Sequence, residues 1–98
     1  MTRRVVVRPP ARQHLVEAAR WYRRRSPSLA EGFRDSIRAA IERVAERPDS
    51  FSEIAPGIRR ALTRQFPYAV FFAQDGNVIV ILEILHQAQD PDQWPAAE

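Results

Sequence analysis

The chain has 98 residues, enough for one domain, residues 1–98, with an ordinary core. It holds no cysteine, which excludes a disulfide framework and thiolate metal sites, and no apolar run nears the roughly 20 residues needed to cross a bilayer. All fifteen cations are Arg against twelve acids, and a net charge of +3 is weak ground for nucleic-acid binding. The N-terminus lacks the apolar stretch of a signal peptide, so a cytoplasmic protein is expected.

Arg3 to Arg8 is a short β-branched run stopped by Pro9-Pro10 and predicts a first strand. From Ala11 the period changes. Leu15, Ala18, Ala19 and Tyr22 fall at i, i+3, i+4 and i+7, which predicts an amphipathic helix ending at Ser26-Pro27. A second helix starts there, with Ser26 as N-cap, Pro27 at the first helical position and an overlapping Ser28–Glu31 capping box. Leu29, Phe33, Ile37, Ala40, Ile41 and Val44 repeat at helical spacing up to Arg47, and Pro48 ends the run. The short link makes the two helices an antiparallel hairpin.

Asp49 to Gly57 reads as a loop with Phe51 tucked inward. Ile58 to Gln65 alternates and predicts a strand, with Arg59 and Ala61 on one face and Arg60 and Leu62 on the other. Tyr68–Ala73 and Val78–Leu85 are apolar runs flanking Asp75-Gly76-Asn77, a hairpin signal. The expected fold is therefore α+β. Its order is β-α-α-β-β-β, a mostly antiparallel four-stranded sheet with the helical hairpin on one face.

The last strand implies a partner. Strict alternation puts Val78, Val80, Leu82 and Ile84 on one face and Ile79, Ile81, Glu83 and Leu85 on the other, and only Glu83 is charged. Two helices cover one face of such a sheet. Ile79, Ile81, Leu85 and Phe71, if left open, would form an apolar patch of about a few hundred Å², the size that marks interaction sites. The alternative is that Trp94 and the C-terminal residues fold back over it.

Several residues have a bland and a functional reading. Arginine clusters at Arg3–Arg4, Arg20–Arg25 and Arg59–Arg64 suit phosphate or carboxylate partners, or are solvated faces. His86 is an acid–base candidate or a turn residue. His14 is a surface or interface residue. Two His without Cys or local carboxylate spacing argue against a metal, and no cofactor is expected. Asp90-Pro91 caps a turn, and Trp94 is a packing anchor or a stacking platform.

The element order, Arg60-x-x-x-x-x-Phe66-Pro67-Tyr68 and His86-x-x-x-Asp90-Pro91-x-x-Trp94 together resemble the RelE/ParE superfamily of type II toxins, over nearly the whole chain. The ParE-like branch is the nearer, although many of its members carry Arg where this chain has Gln89. The resemblance implies a bacterial toxin, of the kind linked to plasmid stabilization and growth inhibition, in a hetero-oligomer with a cognate antitoxin. Arg60, Phe71, Ile79, Ile81, Glu83, Leu85, Asp90 and Trp94 would meet target or antitoxin.

ParE-like members inhibit DNA gyrase, while RelE-like members cut mRNA on the ribosome. Here the RelE-type strand Arg is replaced by Tyr68, the second Arg falls near Ala88 and the C-terminal Tyr falls at Trp94, whose indole cannot transfer a proton as a phenol can. Arg59, Arg64, Tyr68 and His86 are the remaining catalytic candidates for an endoribonuclease. The implied function is gyrase inhibition. The alternatives are a ribosome-dependent endoribonuclease and an inactive relative that binds its antitoxin as co-repressor.

Overall fold

The computed structural model describes residues 3–89. Strand β1 (Arg4–Val7) leads into helix α1 (Pro9–Arg25), α2 (Pro27–Glu46), β2 (Glu53–Ala55), β3 (Ile58–Leu62), β4 (Tyr68–Asp75) and β5 (Val78–His86). The five strands form one sheet in the order β1-β5-β4-β3-β2. Every pairing is antiparallel except β1 with β5, which is parallel because the helical hairpin carries the chain back across the sheet.

The helices begin and end where backbone chemistry requires. Both prolines lie inside the first turn of α1, where a missing N–H costs nothing, so the helix starts two residues earlier than expected. Ser26 is the N-cap of α2, yet its hydroxyl bonds Ser28 at 2.9 Å and caps no backbone amide, so the capping box is not made. At the other end of α2, Arg3 donates from Nη1 to the Ala45 and Glu46 carbonyls, both at 3.0 Å. A cation there satisfies orphan carbonyls and complements the helix dipole.

Two expectations need correction. The sheet has five strands, not four, because the 49–57 loop contains a 3-10 turn (Pro48–Ser50) and then β2. Three residues are too few to show a period. The β2–β3 turn is set instead by Gly57 at φ +76 and by the Glu53 carboxylate, which accepts the Gly57 N–H at 2.6 Å. β3 also stops at Leu62, short of Gln65. The Thr63 hydroxyl accepts the Tyr68 N–H at 3.1 Å and donates to the Phe66 carbonyl, closing the turn that contains Pro67.

The second correction concerns faces. The β4–β5 register runs Phe72↔Ile81 and then Phe71↔Glu83, leaving Leu82 as an extra residue, a β-bulge. Alternation changes phase there. Ile79 and Ile81, expected on an open face, are buried with Ile84 in the core under the helices, alongside Phe33, Ile37, Val44, Val70 and Phe72. Phe71 is fully buried too. The face away from the helices instead carries Val78 and Val80, half-buried, with Val6 at 41% and Leu62 at 47% exposure.

These faces have energetic consequences that urea denaturation can read. Ile81→Ala should cost about 2–5 kcal/mol, as for a buried aliphatic truncated in a packed core. Leu62→Ala should stay within about 0.5 kcal/mol of the parent. The reverse ranking would restore strict alternation and remove the bulge.

Candidate functional site

β1 pairs with β5 only as far as Val7↔Ile81. Beyond that point α1, not a strand, flanks β5, and the space between them is a groove of about 650 Å³. His14, Ala18, Trp21 and Tyr22 enter it from α1 at i, i+4, i+7 and i+8, one stripe of the helix. Ile84, Leu85 and His86 enter from β5, and Tyr68 from β4. The floor is aromatic. Tyr22 stacks on Phe33 at 5.1 Å, Phe33 meets Tyr68 edge-on at 4.8 Å, and Tyr68 meets His86 edge-on at 5.2 Å. Trp21 forms one lip, 44% exposed, with the Arg25 guanidinium 3.5 Å from its ring centre.

The polar groups are bonded to one another. The bulge takes Glu83 off the core face, and its Oε1 lies 2.6 Å from His14 Nδ1 on α1. The same oxygen accepts the backbone N–H of Ile84 at 3.1 Å. With a carboxylate at Nδ1, that nitrogen of His14 carries the proton. His86 is the opposite case. Its Nδ1 accepts the Ala88 N–H at 3.0 Å, which leaves the proton of the neutral ring on Nε2. The Tyr68 phenol is pushed up to about 12, chiefly by burial, then by the neighbouring Tyr22 and its hydrogen bond. At neutral pH it stays protonated.

Of the four catalytic candidates, Tyr68 and His86 come together, as directly paired residues of β4 and β5. Arg59 and Arg64 do not join them. Arg59 donates to the Phe51 carbonyl at 2.5 Å, holding the segment before β2 against the sheet. Arg64 lies in a second, polar groove with Asp35, Glu42 and Arg43, where burial, and then the Arg64 charge, hold the Arg43 guanidinium below its ordinary range. Among the described residues, no arginine lines the α1–β5 groove. A phosphoryl-transfer site needs a cation within reach of its base, and neither candidate cation, Arg59 or Arg64, lies beside the Tyr68–His86 pair.

The binding candidates are scattered similarly. Leu85 lines the groove and Glu83 borders it, Arg60 pairs with Phe71 in the sheet, and Ile79 and Ile81 are core. Asp90 and Trp94 lie outside the described residues. His14, Trp21 and Tyr22 went unsingled as a site in the sequence. Their shared helical stripe was the available signal, but it reads equally as core.

The family model for the ParE toxin of the type II toxin-antitoxin system parDE matches residues 5–91. Among solved structures, a chain of the chromosomal ParDE TA system from P. aeruginosa superposes with a TM-score of 0.75. It shares 18% identity, and the match covers 87% of this chain and 96% of that one, a likeness of fold. A comparison with curated proteins gives no match.

The raised phenol has a pH signature. A folded-state value above the ordinary 10 means that the folded protein holds this proton more tightly than the unfolded chain. The contribution is complete below pH 10 and is lost as pH rises from about 10 to about 12. Stability curves measured across that interval should fall more steeply for the parent than for Tyr68→Phe.

Proposed function

This chain belongs to the ParE toxin family of type II toxin–antitoxin systems, and from that premise we propose that it acts by binding a target protein, DNA gyrase, and is held inactive by a cognate antitoxin. The observation that carries the binding reading is the state of the groove. His86 Nδ1 is committed to an internal hydrogen bond, the Tyr68 phenol is protonated at neutral pH, and no arginine is among the described residues that line the groove. Such a cleft supports recognition by shape and apolar contact.

An endoribonuclease would use the same Tyr68–His86 pair differently. In-line attack by a ribose hydroxyl requires a base with a free lone pair and a cation on the phosphate. Here His86 Nδ1 is occupied by the Ala88 N–H, and the candidate cations Arg59 and Arg64 are engaged elsewhere. The co-repressor alternative, in which the chain binds an antitoxin without harming the cell, differs in having no target.

Purified toxin added to a gyrase supercoiling assay should inhibit supercoiling, and the antitoxin should relieve that inhibition. In a translating extract the same preparation should leave mRNA uncut. Cleavage at defined codons would replace the gyrase reading with the ribosomal one, and the absence of any growth defect on induction would leave only co-repression. Trp21→Ala and Leu85→Ala should each weaken inhibition with the fold intact by circular dichroism, since truncating a central interface residue costs about 1 kcal/mol or more, roughly fivefold or greater in affinity.

A further inference from the structure

The fifteen arginines are spread unevenly over the two helices. Helix α1 holds five of them against one glutamate, a charge of +4 where the whole chain has only +3. Helix α2, of similar length, holds three arginines against four acids. Its Arg38 pairs with Asp35 at 2.8 Å, the ordinary condition of a solvated helix face. On α1 the single acid, Glu17, accepts the Gln13 side-chain amide at 3.2 Å. Among the described residues, Arg12, Arg20, Arg23 and Arg24 have no ion pair, and all four are exposed.

Helix geometry gathers these cations on one side. Arg12, Val16, Arg20 and Arg23 fall at i, i+4, i+8 and i+11, with Arg24 one turn after Arg20. Leu15, Ala18 and Tyr22 take the other side and pack against the core. A shallow cleft of about 510 Å³ runs along the row from Pro9 to Arg20, with Gln13 as a further donor. At 1.5 Å per residue, Arg12 lies about 12 Å from Arg20 along the axis, and Arg24 about 6 Å further. The helix dipole favours cations only at the C-terminal end. Arg12 stands in the first turn, which holds no acid, so the dipole opposes it. Helix stability therefore explains Arg23 and Arg24 and leaves Arg12 and Arg20 over.

We propose that this outer face of α1 binds the phosphate backbone of duplex DNA without reading its sequence. A guanidinium fork donates two parallel N–H bonds to one phosphate. Each DNA strand offers one charge per about 3.4 Å of helix axis, so a row of about 18 Å spans about five phosphates. A stiff row of cations fits a stiff duplex. Single strands are held by stacking their bases on aromatic rings, and the row contains no such ring. The neighbouring Trp21 turns to the β5 groove, and the Arg25 guanidinium covers its ring at 3.5 Å. The choice of DNA over RNA rests on the gyrase reading, because duplex DNA is the substrate of that enzyme. The row of cations does not depend on it.

Fluorescence anisotropy of a labelled DNA duplex of arbitrary sequence, titrated with purified toxin and no gyrase, tests this. At about 50 mM salt the Kd should be about 10⁻⁵ M or tighter. Log K should fall against log salt with a slope of about −3 to −4, from four arginines at about 0.9 each. Arg12→Gln combined with Arg20→Gln should weaken binding by about tenfold or more and reduce the slope by about 2, with the circular dichroism of the parent. Arg34→Gln combined with Arg38→Gln, on α2, should shift the affinity by less than about twofold. No binding at that salt, or an equal loss in the two double variants, would overturn the proposal. Tighter binding of a single strand or of duplex RNA would overturn it as well. With gyrase absent from the assay, failure here leaves supercoiling inhibition intact, and a DNA-binding protein that does not inhibit supercoiling would sink only the gyrase reading.

Discussion

A single inserted residue, Leu82, determines what the longest strand of this protein presents to each side. Before it, Ile79 and Ile81 face the helices; after it, Ile84 does. Without the bulge, the phase set by Ile79 and Ile81 would put Glu83 among the core side chains and turn Ile84 away from them. A buried unpaired carboxylate is costly enough that the strand would not persist in that register. With the bulge, Glu83 reaches the gap between sheet and α1 and finds His14. One added residue thereby reconciles a nearly continuous apolar strand with the single charge it carries. The β1 pairing ends beside it at Val7↔Ile81, where Pro9 begins α1.

Arginine holds the rest of the frame, mostly through the backbone. Arg3 closes the end of α2, Arg59 ties down the segment before β2, and Arg43 donates to the Leu62 carbonyl at 3.0 Å beneath the β3–β4 turn. These contacts join loops and helix ends to the sheet where apolar packing is thin. A guanidinium is suited to this because it spans two acceptors in one plane and carries an apolar stem. Arginine clusters that invite a phosphate reading in the sequence are, at Arg3 and Arg59, structural ties.

Much of the fold was legible because it rests on local chemistry. Gly76 at φ +61, with no other left-handed residue in the loop, makes the tight β4–β5 turn that Asp75-Gly76-Asn77 announces. The helix faces were readable from Phe33, Ile37, Ala40 and Val44, all buried. What was hidden depends on long-range geometry. A bulge leaves no mark in a run such as Val78–Leu85, where residues on either side of Leu82 are equally apolar. β2 is too short for a period, and the parallel β1–β5 pairing is a matter of topology. Of the groove residues, Tyr68 and His86 were named in the sequence as catalytic candidates, and Glu83 and Leu85 separately as binding candidates. His14 and Trp21 were not joined to them, because only the packing of α1 along β5 does that.

The groove also shows why possession of acid–base residues is a poor guide to chemistry. Two histidines, two glutamates and two tyrosines line or border one cleft, a composition that would suit proton transfer. Much of their hydrogen-bonding capacity is spent within the protein: Glu17 accepts from Gln13, Glu83 bonds His14 and the Ile84 amide, His86 Nδ1 accepts the Ala88 amide, and Tyr68 bonds Tyr22, while His14 Nε2 keeps its lone pair. A catalytic group must exchange its hydrogen bond for one to the reacting atom, which is easiest when that bond is weak or made to water. Here the bonds secure the end of β5 against α1 and leave an apolar floor between them.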